Sequence, residues 1–478
     1  MVRCALKSFA FAACVLWASV VVARTDEPAQ HDIAAYRDAA TRIIAHCEKG
    51  TDGYRKLAHL CDDIGPRLSG SENLEKAVAW TQEELRRDGL ENVRAEKVMV
   101  PRWVRGRESI EMLAPRRVSL PMLGLGGSVG TPPEGIEAEV ICVPNERELK
   151  RIAEATPEKV AGKIVLFNFP MPPYDPVRGS GYGGAVRFRS VGARWAAGYG
   201  AVASLIRSCT ARSLRSPHTG AMDYGDVRKR IPAAALSIED VEMIARLQER
   251  GVPVRVKISM EARDEGLVPS ANVVAELRGR EKPDEIVVIG GHLDSWDVGQ
   301  GALDDGGGSV TCMEVLNVLK KLDLTPRRTI RVVLFTNEEN GLAGGKQYAE
   351  DHKDELARHV AAIEHDSGVF QPQGFGVSLA DEEKQKKAVE RLGQIVKLLE
   401  PLGPMKATPG GGGADISAMR PAGVPLLGAD VDGATYFDYH HTHADTIDKV
   451  DPKLLDKNVA AMAVVAYVLA DMPERLGD

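Results

Sequence analysis

In the second half of the chain, side chains able to bind a metal stand directly behind short apolar runs. That order restricts the fold more than any other feature. Residues 286–290 form an apolar run that ends just before His292 and Asp294. Residues 329–335 form another, which leads to Glu338 and Glu339, and residues 360–363 a third, which leads to Asp366. Helical stretches at 308–322, 388–399 and 452–472 and a further strand at 425–429 complete a βαβ alternation. Short apolar runs separated by helices read as strands buried on both faces of a largely parallel sheet. Open α/β sheets place their sites beyond the carboxyl ends of strands. The pattern therefore predicts an α/β domain with these polar groups gathered at one sheet edge.

The residue types fit metal-assisted chemistry. Imidazole and carboxylate form the donor set of a catalytic zinc pair. His292 can bind through one ring nitrogen, and Asp294 is placed to take the other N–H or to fix nearby geometry. Asp304 precedes Asp305 and Gly306-Gly307-Gly308, where glycines permit the close backbone approach that a bridging carboxylate needs. Asp305 reads as a helix-start or supporting residue. Glu338 and Glu339 are adjacent, so their side chains diverge at a strand end; Glu339 is assigned as a ligand and Glu338 as the general base. Spacing alone allows either His365 or Asp366 as the next ligand. In His440-His441-Thr442-His443-Ala444-Asp445 the three histidines compete for one role.

The rest of the chain sets the frame. At 478 residues it is long enough for two domains, and its net charge of −7 with no long basic run gives no footprint for nucleic acid or an anionic membrane. Arg3 and Lys7 precede an apolar stretch at 9–22 and the small residues Val21-Val22-Ala23, which reads as a signal peptide over 1–23 and predicts a secreted or periplasmic protein. A retained anchor helix is the competing reading, although the run is short for a membrane span. Helices are predicted at 31–48, 54–63 and from Ser71 to Gly89, with a strand at 93–101. Residues 113–265 change character: short strands at 137–143, 162–168, 201–206 and 231–237 alternate with Gly and Pro, as in an inserted β-rich module. The catalytic domain is then discontinuous, over 31–112 and 266–475. Cys47, Cys61, Cys142, Cys209 and Cys312 are widely spaced and lack a CxxC, so buried free thiols are expected.

Together the five metal-binding segments resemble the co-catalytic zinc exopeptidase family that contains bacterial leucyl aminopeptidases and glutamate carboxypeptidases. The resemblance implies a three-layer α/β/α domain with a mixed, mainly parallel sheet. It implies two zinc ions per chain, with Asp304 bridging, His292 and Asp366 completing one site, Glu339 and His441 completing the other, and Glu338 as base. Residues 113–265 resemble a protease-associated domain. Asp63 to Ser71, Ser216 to Gly220 and Gly290 to Gly301 narrow the likeness to the plasma glutamate carboxypeptidase type. That type implies a homodimer acting on small peptides with free termini, most simply dipeptides. The histidine before Asp366 and the glycine run at 410–413, near the expected pocket, depart from the pattern and bear on substrate preference. An aminopeptidase acting on longer peptides, a non-catalytic receptor-like module and a single-zinc cyclase are the competing readings.

Overall fold

The computed structural model describes Met1 and residues 33–478; all but the first residue of the predicted leader lies outside the described residues. The chain builds a mixed α/β architecture on two 8-stranded sheets. In the first, the order is Glu91–Val104, Arg263–Leu277, Arg328–Phe335, Lys282–His292, His359–Glu364, Leu426–Val431, Pro372–Ser378 and Lys406–Pro409. The strands Arg328–Phe335, Lys282–His292, His359–Glu364 and Leu426–Val431 run parallel to one another in the middle of this sheet. They are the apolar runs read from the sequence, extended by one to four residues where polar positions continue the pairing. Antiparallel pairs flank them on both sides.

Helices Gly307–Lys321 and Pro452–Asp471 pack on each other and against this sheet. Both are buried along most of their length, because they are apolar nearly all round. Helix Glu72–Arg87 starts where expected: the Ser71 hydroxyl accepts the Leu74 N–H at 3.2 Å, and Leu74, Val78 and Leu85 face inward. The predicted helix at 31–48 is a 3-10 turn, Ile33–Tyr36, followed by an α-helix, Arg37–Cys47.

The second sheet lies between Glu108 and Met260, and four of its strands, Ile136–Val143, Ile164–Phe167, Ala203–Arg207 and Ala233–Leu236, run parallel in sequence order. Its apolar core includes Leu68, Trp296 and Val298. Trp296 and Val298 follow His292 closely in sequence, so the loop beyond the first sheet's central strand is anchored in the second sheet. Cys47, Cys61, Cys142, Cys209 and Cys312 are all free thiols.

One buried charge network ties the N-terminal helices to the core. The Lys56 ammonium, fully buried, pairs with Asp88 and Glu314, and Asn317 donates to Glu314. Removing one member of such a set strands its partners without solvent. Lys56→Met is expected to destabilise the protein by about 3–5 kcal/mol, read as an earlier unfolding midpoint in urea. Lys56→Met combined with Glu314→Leu is expected to cost less than Lys56→Met alone. If the single variant unfolds at the wild-type midpoint, the network is not holding these helices.

Candidate metal centre

Four loops converge where the central strands of the first sheet end. His292 closes Lys282–His292, Asp366 follows His359–Glu364, Glu338 and Glu339 follow Arg328–Phe335, and His441 follows the short helix Tyr436–Tyr439. Asp304 sits in the turn before helix Gly307–Lys321 and stands between the others. Its Oδ1 lies 3.3 Å from His292 Nε2, and its Oδ2 lies 3.2 Å from His441 Nε2. His292 Nε2 is also 3.6 Å from Asp366 Oδ1, and His441 Nε2 is 3.1 Å from Glu339 Oε2. One carboxylate thus offers an oxygen to each of two clusters.

The structure separates the histidines that spacing left open. His365 turns away, its Nε2 meeting Asn458 Oδ1 at 3.1 Å, so Asp366 is the residue of that pair that faces the centre. His443 is exposed. His440 and His441 stack with ring centroids 3.5 Å apart, and both approach Asp304. His440 Nε2 stands further off, at 3.7 Å, and His441 alone of the two meets Glu339. Asp304 with His292 and Asp366, and Asp304 with His440 and His441, each present ligand atoms within 4.8 Å of one another.

The donor atoms suit a cation. His292 Nε2, Asp304 Oδ2, Glu339 Oε1 and Asp366 Oδ1 are buried and lack a hydrogen-bond partner, which is costly unless a charged ligand fills the gap. Protonation preferences carry the same message. Burial, then the neighbouring charges of Asp366 and Glu339, hold the Glu338 carboxyl well above the usual range, against the opposing effect of His292. Burial and the Asp304 charge push Glu339 up to about 7. Burial opposes charge on His441, but Glu339 and Asp304 outweigh it and raise the imidazole to about 9. Without a cation, the cluster holds protons to offset its negative charge.

Supporting contacts fix the loops. Asp294 does not take the His292 N–H through its carboxylate, which stands 3.7 Å from Nδ1; the Asp294 carbonyl oxygen meets Nδ1 at 2.9 Å instead. The carboxylate accepts the backbone N–H groups of Glu338, at 3.1 Å, and Glu339, at 3.4 Å, and the Ser69 hydroxyl, at 3.1 Å. It therefore orients the adjacent glutamates. Asp305 accepts the N–H groups of His292 and Gly308, each at 3.1 Å. A Cβ on Gly308 would stand 2.0 Å from the His365 carbonyl oxygen, so this position admits no side chain.

Sequence reasoning missed three of these supports. Asp445 accepts the N–H groups of Ala302, Leu303 and Asp304 at 2.7–3.2 Å and so sets the turn that presents Asp304. Its place in His-Thr-x-x-Asp was the available signal. Arg67, fully buried, donates to the carbonyls of Leu293, Gln300 and Gly301 at 2.6–2.9 Å. Arg189 reaches across from helix Tyr182–Gly198 beside the second sheet, with Nη1 2.7 Å from Tyr182 Oη and 3.2 Å from His441 Nδ1. No local pattern marked it. The glycine run has a packing role: a Cβ on Gly413 would stand 2.0 Å from the Glu364 side chain.

The centre opens into a cleft of about 1070 Å³. Asp304, Glu338, Glu339, Asp366 and His441 line it, together with Tyr182, Arg189, Lys406 and Asp430.

The model of peptidase family M28 matches residues 272–466. Carboxypeptidase Q from Mus musculus is 44% identical over 456 residues, covering 95% of this chain and 93% of its own. The crystal structure of a peptidase M28 precursor from Shewanella amazonensis superposes with a TM-score of 0.87 at 36% identity, covering 93% of this chain and 99% of the other. The zinc aminopeptidase BSAP from Bacillus subtilis, at 20% identity and a TM-score of 0.62, shares the fold over 89% of this chain and 96% of its own. A sheet edge carrying this cluster, and a likeness to carboxypeptidase Q that spans nearly the whole length of both chains, place the chain in peptidase family M28, in the carboxypeptidase Q type.

Proposed function

We propose that this metallo-exopeptidase holds two zinc ions and cleaves small peptides with free termini, most simply dipeptides. The observation that carries the reading is the position of Asp304, with one oxygen toward His292 and the other toward His441. His292, Asp304 and Asp366 would hold one ion, and Asp304, Glu339 and His441 the other. Zinc fits because the donors are imidazole and carboxylate, and because BSAP, which shares the fold, is described as a zinc aminopeptidase. When bound, the pair supplies a Lewis acid for the scissile carbonyl and makes the attacking water more acidic.

The chain's own groups do the rest. Glu338 lines the cleft beside the cluster, and its carboxylate takes a proton from the attacking water and returns it to the leaving amine. Asp294 holds the backbone of Glu338 and Glu339, so base and ligand keep fixed positions. Arg189 supports recognition of a free carboxylate. It is buried, lines the cleft, donates to Tyr182 Oη and the Ala221 carbonyl, and makes no salt bridge among the described residues. A buried guanidinium without a counter-ion favours an anionic ligand.

Substrate end preference is tested with a dipeptide, its C-terminal amide, an N-blocked dipeptide and a tripeptide. The free dipeptide is expected to be the best substrate. Arg189→Met is expected to lower its kcat/KM by about 10- to 100-fold with metal content unchanged, and to affect the amide less. Equal cleavage of dipeptide and amide, with the N-blocked peptide untouched, would favour an aminopeptidase.

The remaining features belong to the same proposal. Residues 113–265 act as a protease-associated domain inserted between 31–112 and 266–475 of the catalytic domain. The protein is exported with residues 1–23 as leader and works as a homodimer outside the cytoplasm. Among the described residues no helix is long and apolar enough to cross a membrane.

A further inference from the structure

We infer that Thr219, in the segment between Ala203–Arg207 and Ala233–Leu236 of the second sheet, is a positioning residue for His441. One of the two metal positions would then be braced from the inserted module through Thr219, while the other is held within the catalytic domain. This rests on the two-metal reading above.

The observation that leads to it is the backbone of His441. Its φ is +62°, in the left-handed region that non-glycine residues seldom occupy. Such a conformation persists where the surroundings over-determine it. Here two reciprocal hydrogen bonds to one residue do so. The Thr219 N–H donates to the His441 carbonyl at 3.0 Å, and His441 Nδ1 lies 3.2 Å from the Thr219 carbonyl oxygen.

The second bond also selects the tautomer. An imidazole whose Nδ1–H donates to a carbonyl keeps the Nε2 lone pair free for a cation. Nε2 is the atom facing Asp304 and Glu339. Arg189 Nη1 lies equally close to Nδ1, but a guanidinium has no acceptor and cannot pair with a protonated Nδ1. The tautomer that serves a metal therefore leaves Thr219 as the partner and releases the Arg189 donor toward the cleft.

Thr219 is itself held at the junction of the two sheets. It is fully buried, its hydroxyl donates to the Gly124 carbonyl at 2.7 Å, and Arg105 Nη2 approaches that hydroxyl at 3.3 Å. Arg105 in turn grips Asp297, on the loop after His292, with contacts of 2.8 and 2.6 Å. His292 contrasts with His441. Its Nδ1 is satisfied by the Asp294 carbonyl, two residues on in its own loop. The His292 position should therefore be indifferent to Thr219, and the His441 position should depend on it.

The test is zinc binding to the purified full chain, followed by competition with a chelator, alongside the melting temperature of the zinc-free protein. Thr219→Val keeps the β-branched shape and removes the hydroxyl that anchors the segment. The wild type is expected to bind two zinc ions. Thr219→Val is expected to keep one at wild-type affinity and to weaken the other by about 10- to 100-fold, with the zinc-free melting temperature unchanged. Thr219→Ser, which restores the hydroxyl, is expected to recover the second affinity. Should Thr219→Val fail to fold, Thr219→Ala, which removes the same hydroxyl without touching Arg105 or Asp297, is expected to weaken one affinity in the same selective way. Two undiminished affinities in the folded variants, or an equal loss of both, would overturn the inference. A wild type that binds a single ion would instead overturn the two-metal reading on which it stands.

Discussion

Replacing Glu338 by Gln is expected to lower kcat for a dipeptide by about 10²–10⁴-fold, the usual contribution of a general base, while zinc content stays at the wild-type level. The amide keeps the shape of the carboxylate and can still accept a hydrogen bond, but it cannot take up the water's proton at neutral pH. The loop has no reason to move, because Asp294 grips the backbone N–H of residue 338 and not its side chain. Glu339→Gln is the informative neighbour. Glu339 Oε2 meets His441 Nε2 at 3.1 Å, so that variant is expected to lose metal as well as turnover. The two adjacent glutamates should thus fail in different ways, one in proton transfer and the other in metal retention. Steady-state kinetics with metal analysis on both variants separates them. Glu338→Gln with more than about a tenth of wild-type activity would contradict the expected effect and remove Glu338 from the role of base.

The sheet that positions these residues was legible where its strands are buried on both faces. There the sequence runs apolar without interruption, as at 286–290 and 329–335, and polar side chains follow as soon as the strand leaves the sheet. Strand Arg263–Leu277 was not legible. Its first residues are exposed and polar, and it contains Gly266 and Pro269, so the expected domain boundary at 265/266 falls inside it. It tolerates Pro269 because that stretch pairs with Glu91–Val104 on one side only; Arg328–Phe335 joins on the other side from Val273 onward. Strands Pro372–Ser378 and Lys406–Pro409 escaped for a related reason. Gly374 and Gly376 look like breakers in sequence, yet they permit close approach of Lys406 and Gly410.

The centre shows the same division. Spacing brought His292, Asp304, Glu339 and Asp366 into one hypothesis because each follows a strand or precedes a helix. It could not choose between His365 and Asp366, since neighbouring residues at a strand end point in opposite directions and only the final helix, through Asn458, shows which way each goes. Arg189 and Thr219 lie far from His441 in sequence and meet it only where helix Tyr182–Gly198 and the segment before Ala233–Leu236 come against the loop that carries His441. No periodicity within a segment encodes a contact of that kind.

Asp304→Asn is expected to have the widest effect on the centre, because both clusters draw on this one side chain. His292→Ala and His441→Ala each remove a donor from a single position, and each is expected to leave one zinc ion bound. Asp304→Asn removes the bridging charge from both, and retention of both ions is expected to fall by at least about 10²-fold, beyond what loss of a supporting contact costs. The substitution spares the fold locally, since Asp445 holds the backbone N–H of residue 304. Stability gives an independent readout. A ligand that binds only the folded state stabilises it by about 4 kcal/mol at a thousandfold excess over Kd. Zinc should therefore raise the melting temperature of the wild type and leave that of Asp304→Asn nearly unchanged. The chelated wild type carries a further signature in pH. Although burial works against it, Glu339 and Asp304 lift His441 to about 9 from an ordinary value of 6.5, so its protonated form stabilises the folded metal-free state. That contribution is fully present below pH 6.5 and is lost as pH rises toward 9. Glu339, raised to about 7 by burial and Asp304, acts in the same direction at lower pH, because the folded state holds its proton longer than the unfolded chain does. The metal-free protein is therefore expected to lose stability on going from pH 6.5 to 9, and saturating zinc is expected to abolish that slope by taking over the work of the protons. A chelated protein equally stable across this range, or an Asp304→Asn variant that still binds two ions, would show that Asp304 does not join the two clusters.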